Sequence, residues 1–132
     1  MYTTRQKELL ELFSFGRIAT LFGTTLSFDE QGHAHVDLPY NPKLDQPCGI
    51  HGGVIATLLD TAGWFTVAAQ SKTILVTTSE FNVHFLSPAI ECHLHGEGWV
   101  VKVGKRIFIS EMRVSKSNGE VVAIGTGTFV VL

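Results

Sequence analysis

The sequence predicts an α+β protein in which a long antiparallel sheet packs against one buried helix. Six segments are rich in the β-branched and aromatic residues that favour strands, and turn residues separate them. One central stretch of helical length is apolar on several sides. Two of the strands precede this stretch and four follow it, an order that favours a single helix segregated on one face of the sheet.

The chain begins with a predicted short helix over residues 5–15. Leu9, Leu12 and Phe13 recur there at spacings of three and four residues, so they share one face of a helix. We expect this amphipathic helix to cover the core rather than to carry a site.

The first two strands are predicted at Ala19–Phe28 and Ala34–Tyr40, paired as a hairpin. The segment between them, Asp29–Gly32, has the residues of a turn. The next segment, Asn41–Gly49, contains two prolines and a glycine. We expect it to be a stiff loop with little regular structure.

The central helix is predicted over His51–Ala69. Its apolar residues lie on several faces, which describes a helix buried nearly all round. A six-stranded sheet covers only part of such a helix, so we expect a second subunit to cover the rest. The chain is therefore predicted to form a homodimer. Further packing into a homotetramer is expected, because the segment Glu120–Val131 also looks apolar on both faces.

Four strands are predicted after the helix, the last three as a meander. Proline, glycine and Asn-Gly signals separate them. We expect residues 1–132 to form one domain, since a chain of this length with 45% hydrophobic residues can build its own core. The predicted strands are Ile74–Leu86, Cys92–Val103, Arg106–Ser115 and Glu120–Val131.

Composition argues against several kinds of partner. The net charge is −2 and the ten Lys and Arg residues are scattered, which provides no electrostatic footprint for nucleic acid. The apolar stretch Gly52–Gln70 carries Asp60 near its centre and no flanking basic cluster, so we expect no membrane span. The charged N-terminus is unlike a secretion signal, and Cys48 and Cys92 lack a CxxC partner, so a cytoplasmic location is expected.

Asp60 is the leading candidate for a functional residue. It is the only formal charge in the apolar helix, and no Lys or Arg lies within one helical turn of it. A buried carboxylate without a partner is costly. A structural hydrogen bond, for example to Thr57 or Thr61, is one explanation. We interpret Asp60 instead as a general base or nucleophile in a pocket.

The motif His51-Gly52-Gly53 stands where the loop ends and the helix begins. Helix N-termini present unpaired N–H groups, and glycine lets a substrate carbonyl approach the backbone closely. Gly52 is the predicted oxyanion donor, and a plain helix-start turn is the alternative. Asp60 is eight positions after Gly52, about 12 Å along one helix at ~1.5 Å per residue. One carbonyl therefore meets both only if they belong to different subunits.

These motifs resemble those of a known family. Gly49-x-His51-Gly52-Gly53 is followed by Asp60, by Phe81-Asn82-Val83-His84-Phe85-Leu86-Ser87-Pro88-Ala89 and by Gly119–Gly125. The joint spacing, over roughly residues 20–131, is similar to that of the hot-dog-fold acyl-CoA thioesterases, specifically the phenylacetic-acid-degradation (PaaI-like) branch. The resemblance implies a hot-dog fold, in which the six-stranded sheet wraps around the long helix.

The resemblance also implies a mechanism. The Gly52 N–H would polarise a thioester carbonyl while Asp60 of the partner subunit activates water or attacks directly. In the family, a hydroxyl on the strand after the helix helps to hold the water or the carboxylate. The matching residue is Thr78, with Thr77 as the alternative if the register slips by one. His51 would either contact the thioester or orient the loop.

Further residues are assigned to substrate binding. Many relatives carry Asn or Gln six residues before the histidine of the motif, where this chain has Asp45 with Gln46 beside it. Gln46 is a candidate replacement for that amide. Gly53 is included as the neighbour of the oxyanion donor. Trp64, one turn after Asp60, lines either an acyl pocket or the core.

Two weaker signals concern cations. Lys105 and Arg106 follow a tight turn that, in the similar enzymes, lies near the nucleotide end of coenzyme A, and a solvated hairpin tip is the alternative. Two pairs of alternate histidines each share a strand face, but no third ligand stands at the spacing of a closed zinc site, so we expect no metal. The pairs are His33 with His35 and His93 with His95.

The predicted function is hydrolysis of an aryl- or medium-chain acyl-CoA thioester to the free acid and CoA. Coenzyme A is part of the substrate, and no separate cofactor is expected. One alternative is a hot-dog hydratase or dehydratase acting on acyl thioesters, which would pair a histidine and a carboxylate across the site. The other is a non-catalytic acyl-CoA-binding protein.

Overall fold

A computed structural model describes all 132 residues and has the predicted α+β architecture. The helices are α1 (Thr4–Ser14), α2 (Arg17–Phe22) and α3 (Gly52–Gln70), with a 3₁₀ turn at Pro42–Leu44. The strands are β1 (Thr25–Phe28), β2 (Ala34–Leu38), β3 (Asp45–Gln46), β4 (Gly49–Ile50), β5 (Val76–Phe85), β6 (Leu94–Lys102), β7 (Ile107–Lys116) and β8 (Val121–Val131).

Six of the strands form one antiparallel sheet in the order β1-β2-β6-β7-β8-β5, and α3 lies on one face of it. Because β6, β7 and β8 are consecutive neighbours, the predicted meander is confirmed. The strand β5 pairs only with β8, so it is an edge strand on the side away from the β1–β2 hairpin.

The segment predicted as the first strand, Ala19–Phe28, is only half strand. Its first part belongs to α2, which starts after Gly16 and ends at Gly23. Gly23 adopts the left-handed conformation, with φ +78°, that glycine reaches without steric cost. The threonine and phenylalanine content favoured a strand, and it outweighed the two glycines that mark a short helix.

The segment predicted as an irregular loop, Asn41–Gly49, contains regular structure. The side chain of Asn41 accepts a hydrogen bond from the Lys43 N–H at 3.0 Å and starts the 3₁₀ turn. The two-residue strands β3 and β4 then pair as a small antiparallel hairpin. The prolines shape this segment, but they do not prevent pairing.

The core is formed by one side of α3 and the sheet face beneath it. The predicted burial of the helix on nearly all sides includes cover by a second subunit, so it stays a prediction. In the single chain, one stripe along the helix stays exposed or half-buried. We call this the uncovered stripe; it consists of Gly53, Ala56, Thr57, Asp60, Thr61 and Trp64. By length and mean hydropathy (1.3), α3 would also suit a membrane span, a test that core helices pass as well.

The N-terminal helices supply part of the cover that the sequence assigned to a second subunit. Leu9 of α1 is fully buried, and the Phe13 ring packs edge-on against Phe65 of α3 with centroids 5.5 Å apart. Arg5 donates hydrogen bonds to the carbonyl oxygens of Ala68 and Ser71, both at 3.0 Å, at the C-terminal end of α3. The prediction that α1 covers the core is confirmed.

The helix α3 lies unusually close to β6. A Cβ added to Gly98 would lie 2.8 Å from the carbonyl oxygen of Ala62, and one added to Gly96 would lie 3.2 Å from that of Leu58. Both neighbours are helix backbone, which cannot move aside as a flexible side chain can. The two glycines therefore set the distance between helix and sheet.

Thr66 connects three elements at this close approach. Its hydroxyl oxygen accepts a hydrogen bond from the Ala34 N–H of β2 at 2.9 Å. The hydroxyl proton faces the carbonyl oxygens of Ala62 in α3, at 2.8 Å, and Gly98 in β6, at 3.1 Å. Thr66 has no exposed surface, so water does not compete for these bonds.

The last strand, β8, is less apolar on its outer face than the sequence suggested. Residues of β8 that face α3 are buried, whereas the alternate residues on the outer face combine apolar side chains with threonines. Those outer residues are Ile124, Thr126, Thr128 and Val130. The apolar content that suggested a second packing face lies mostly on the inner side.

Replacing Thr66 with valine should lower the free energy of unfolding by about 1–3 kcal/mol, because the N–H of the buried Ala34 loses the hydroxyl acceptor while the side-chain shape is kept. Urea denaturation measures this loss. Thr61→Val on the same helix is the matched control, since Thr61 lines an apolar cavity, and its effect should stay within about 0.5 kcal/mol. Equal losses in the two variants would contradict the assignment.

Candidate active site

Asp60 lies on the uncovered stripe of α3, beside the edge strand β5. Its carboxylate accepts a hydrogen bond from the Thr78 hydroxyl at 2.8 Å and takes part in no ion pair. Thr57, a structural alternative, donates to the Gly53 carbonyl at 2.9 Å instead. Thr78 rather than Thr77 is therefore the hydroxyl that holds Asp60.

A bulge in β5 aims Thr78 at the helix. Thr78 pairs with Phe129 and Glu80 pairs with Thr128, so Ser79 is an extra residue between them. Side chains three residues apart on a regular strand point to opposite faces. Because of the bulge, Thr78 and Phe81 both face the α3 side.

Gly52 is the first residue of α3, and its backbone N–H has no acceptor within the chain. Such N–H groups are what a helix start offers to an anion or a carbonyl oxygen. The ring of Phe85, at the end of β5, lies 3.4 Å from the position that a Cβ on Gly52 would take. The donor is thus accessible beside an aromatic wall.

His51 organises the same turn. Its Nδ1 accepts a hydrogen bond from the Gly53 N–H at 2.8 Å, so a neutral ring carries its proton on Nε2. A Cβ on Gly53 would lie 2.9 Å from Nδ1 and from Cε1 of this ring. The second glycine of the motif therefore makes room for the histidine cap, and the geometry favours the loop-orienting role for His51.

The segment before α3 is tied to the segment after β5. Gly49 has φ +129°, and a Cβ there would lie 2.6 Å from the carbonyl oxygen of Ala89. The Ile50 N–H donates to the same oxygen at 2.8 Å. Between the two segments lies a cleft of about 480 Å³ that we call the Gly52 cleft. Its lining includes Gln46, Cys48, Gly52, Ile55, Phe85 and Pro88.

The structure separates the two residues proposed for the amide position. Gln46 lines the Gly52 cleft. Asp45 does not, and its carboxylate accepts a hydrogen bond from the Tyr40 hydroxyl at 2.5 Å. Chiefly because of this hydrogen bond, the pKa of Tyr40 is raised to about 12. Gln46 is thus the better placed of the two for a substrate.

The remaining predicted binding residues lie away from the cleft within one chain. Trp64 donates its ring N–H to the carbonyl oxygen of Val76 at 2.8 Å and so ties α3 to the start of β5. Lys105 and Arg106 are exposed in the β6–β7 hairpin. The Arg106 carbonyl accepts from the N–H of Val131, which pairs with the start of β5, whereas Gly52 lies near the end of β5.

Sequence reasoning missed an apolar cavity between α3 and the N-terminal helices. It has a volume of about 160 Å³. Thr57 and Thr61, on either side of Asp60 in the sequence, lie on its α3 side. Gly16 and Gly23, which flank α2, were the sequence signal that could have revealed this short helix and the cavity beneath it. The aromatic and apolar lining includes Leu12, Phe13, Phe22 and Phe65.

Solved structures with this fold include the Escherichia coli PaaI protein from the phenylacetic acid degradation operon. The TM-score is 0.87 with 19% identity, over 96% of this chain and 91% of that chain, a likeness that shows the fold alone. A Bacillus halodurans protein solved with CoA is 32% identical, with a TM-score of 0.81 over 100% of this chain and 96% of that chain. The fold is therefore the hot-dog fold.

Sequence comparison identifies the family. Residues 49–123 match the model of the thioesterase superfamily, and this range includes both Gly52 and Asp60. A Saccharolobus solfataricus protein named "Putative esterase" is 30% identical over 125 residues, which is 94% of this chain and 83% of that protein. The chain belongs to the thioesterase superfamily, and these similarities support a hydrolase.

The contact between Tyr40 and Asp45 predicts a pH dependence. A folded-state pKa of about 12, above the ordinary value of ~10, means that the contact is intact below pH 10 and is lost as the pH rises toward 12. Tyrosinate absorbance of a Tyr2→Phe variant, whose only tyrosine is Tyr40, should have its midpoint near pH 12. Adding Asp45→Asn should bring the midpoint down toward 10. An unchanged midpoint would show that Asp45 does not hold the phenol.

Proposed function

We propose that the protein is a PaaI-like acyl-CoA thioesterase that hydrolyses an aryl- or medium-chain acyl-CoA to the free acid and CoA. The observation that carries the proposal is the Asp60 carboxylate on α3, which accepts a hydrogen bond from Thr78 of β5. The first N–H of the same helix, at Gly52, has no acceptor within the chain. Membership of the thioesterase superfamily and the CoA in the Bacillus halodurans structure support it. Coenzyme A enters as part of the substrate, and the reaction uses no separate cofactor.

In the proposed reaction, a water oxygen attacks the thioester carbonyl carbon while Asp60 accepts the water proton. The carbonyl oxygen gains negative charge and accepts a hydrogen bond from the Gly52 N–H. The tetrahedral intermediate collapses as the C–S bond breaks, and the leaving thiolate takes the proton from Asp60. In the second possible route, an Asp60 oxygen attacks directly, and water then hydrolyses the mixed anhydride.

Both routes need Gly52 and Asp60 at one carbonyl, and one straight helix keeps them about 12 Å apart at ~1.5 Å per residue. We therefore propose a homodimer in which each site combines Gly52 of one subunit with Asp60 of the other. The edge strand β5 has ten residues and one unpaired side, so a second copy can continue the sheet there. The homotetramer stays a prediction.

The contacts of β5 suggest a register for this dimer. Gly52 lies beside Phe85, and Asp60 is bonded to Thr78. Antiparallel pairing of two β5 strands about an axis near Phe81 and Asn82 would place Phe85 opposite Thr78 of the partner subunit. Gly52 would then face Asp60 of the partner subunit, with both helices on the same side of the joined sheet.

The same pairing would give a role to the hairpin cations. It brings the start of one β5 beside the end of the other, so the β6–β7 hairpin of one subunit approaches the Gly52 cleft of its partner. Lys105 and Arg106 would then supply positive charge to the phosphates of coenzyme A. Gln46, in the cleft, would contact the thioester end.

The apolar cavity beside Thr57 and Thr61 supports a compact acyl group. Its volume of about 160 Å³ is close to the ~150 Å³ of an apolar protein cavity that accepts benzene. Phe13 and Phe65 supply aromatic walls. An aryl group therefore fits the cavity better than a long unbranched chain does.

Asp60→Asn should lower kcat with phenylacetyl-, benzoyl- or medium-chain acyl-CoA by ~10²–10⁴, because the amide cannot accept the water proton. Thiol release is the measurement. Thr78→Val removes only the hydroxyl that positions the carboxylate, so it should cost less. Activity of Asp60→Asn above about a tenth of the wild type would sink the assignment. Loss of enoyl-CoA without thiol release would instead identify a hydratase.

Subunit mixing tests the shared site. Gly52→Pro removes the free N–H. Proline is tolerated at the first position of a helix, and it requires an extended residue before it, which His51 already is, with ψ 134°. The Gly52→Pro variant should lower kcat by ~10²–10³. Gly52→Ala keeps the N–H and adds only a Cβ, so it should lower kcat by less than Gly52→Pro does. Gly52→Pro mixed with Asp60→Asn should recover about a quarter of wild-type activity, since each mixed dimer has one intact site. No recovery in verified mixed dimers would place both groups in one chain.

A further inference from the structure

A cluster of ionisable side chains lies on the outer face of the sheet, away from α3. Ala34, Val36 and Leu38 of β2 are buried toward the helix, so the alternate residues of β2 point outward. We call the outer group formed with β6 the His35 cluster; its members are His35, His95 and Glu97, with Asp29 and Asp37 bonded to the histidines.

The histidines pair across strands rather than along them. We expected no metal because no third ligand stands at a closed-site spacing in the sequence. That reason fails, because the register of β2 against β6 places Glu97 directly opposite His35. His95 occupies the neighbouring outward position, and its Nε2 lies 2.9 Å from Nδ1 of His35. His33 and His93 lie outside the cluster.

The hydrogen bonds of this cluster leave two lone pairs facing each other. Nε2 of His35 donates to Asp29 at 2.7 Å, and Nδ1 of His95 donates to Asp37 at 2.7 Å, since an ionised carboxylate only accepts. A neutral imidazole has one donor and one acceptor nitrogen. The inner nitrogens, Nδ1 of His35 and Nε2 of His95, are then both acceptors. Their short contact requires a positive centre between them, either a proton or a metal ion.

We propose that the His35 cluster is a zinc site, with Nδ1 of His35, Nε2 of His95 and Oε2 of Glu97 as its ligands. One ligand atom from each of the three residues lies within 4.8 Å of the others, and Nδ1 of His35 is 2.9 Å from Nε2 of His95 and 4.0 Å from Oε2 of Glu97. Arg113 bonds the other oxygen of Glu97, Oε1, and leaves Oε2 free for the metal. Imidazole nitrogens and a carboxylate are common zinc ligands, and water would complete a tetrahedron.

The surrounding groups match what a zinc ion needs. Zn–N distances of ~2.0–2.1 Å in a tetrahedron put two ligand nitrogens about 3.3 Å apart, so the rings must separate by only about 0.4 Å. Metal-bound histidines usually donate their second N–H to a carboxylate, the role that Asp29 and Asp37 already fill. Three carboxylates and the Arg113 guanidinium sum to −2, which one divalent cation neutralises.

The metal would act as a structural link. β1 and β2 contact the rest of the sheet through a single short β2–β6 pairing of four residues. A zinc ion held by His35 on one side and by His95 and Glu97 on the other would fasten this hairpin to the sheet. The site lies on the opposite face from Asp60, so the proposal does not depend on the proposed thioesterase function.

Titration of the metal-free protein with Zn²⁺ alone should reveal one site per chain by calorimetry, and the melting temperature should rise with Zn²⁺ concentration. His95→Gln should abolish stoichiometric binding. Asp37→Asn, at an exposed side chain that leaves the ligands in place, should weaken Zn²⁺ affinity by ~10–100-fold. Binding of Co²⁺ should produce the visible absorption of a tetrahedral site.

His84→Gln and Cys48→Ser are the matched controls. His84 lies on the same outer face but outside the cluster, and Cys48 is an exposed thiol. Both variants should bind Zn²⁺ as the wild type does. The proposal is overturned if the wild type binds no Zn²⁺, in which case a proton occupies the central position. It is equally overturned if folded His95→Gln and Asp37→Asn keep wild-type affinity.

Discussion

The contact between α3 and β6 is the constraint on which the rest of the structure depends. At Gly96 and Gly98 the helix backbone lies where side chains would otherwise stand, and Thr66 bonds the helix to two strands in the same place. A helix held this close buries one side completely against the sheet. Its opposite side is left to other elements, and the N-terminal helices cover only part of it.

The environment of the Asp60 carboxylate follows from this arrangement. A carboxylate on the sheet side of α3 would need a buried partner or would be expelled. On the uncovered stripe it needs only one oriented hydrogen bond, and the β5 bulge supplies the Thr78 hydroxyl at 2.8 Å. The second carboxylate oxygen then has no hydrogen-bond partner within the chain. The same helix carries the free N–H of Gly52 at its start, but its rigidity keeps the two groups apart within one chain.

The sequence allowed the elements with strong periodicity or a unique chemistry to be predicted. The central helix and the meander appear where the residue pattern indicated them, and the Thr78 contact appears where the family resemblance implied it. The misses share a physical cause. α2 and the β3–β4 hairpin are too short for periodicity to register, and the position of Asp45 beside Tyr40 depends on a local turn. Contacts across strands, such as that between His35 and His95, depend on which strands are neighbours, and residue spacing along one strand does not show this.

The two faces of the sheet illustrate why register matters more than composition here. Alternate residues of β2 and β6 are apolar or glycine toward α3, whereas the outward residues where the two strands pair are ionisable. A slip of one residue would place His35 and Asp37 against the helix, where their charges could not be solvated. The glycines of β6 resist such a slip, because only they tolerate the helix backbone at that distance. The close contact between α3 and the β6 glycines therefore positions Asp60 on the helix side of the sheet and also keeps the His35 cluster together on the outer face.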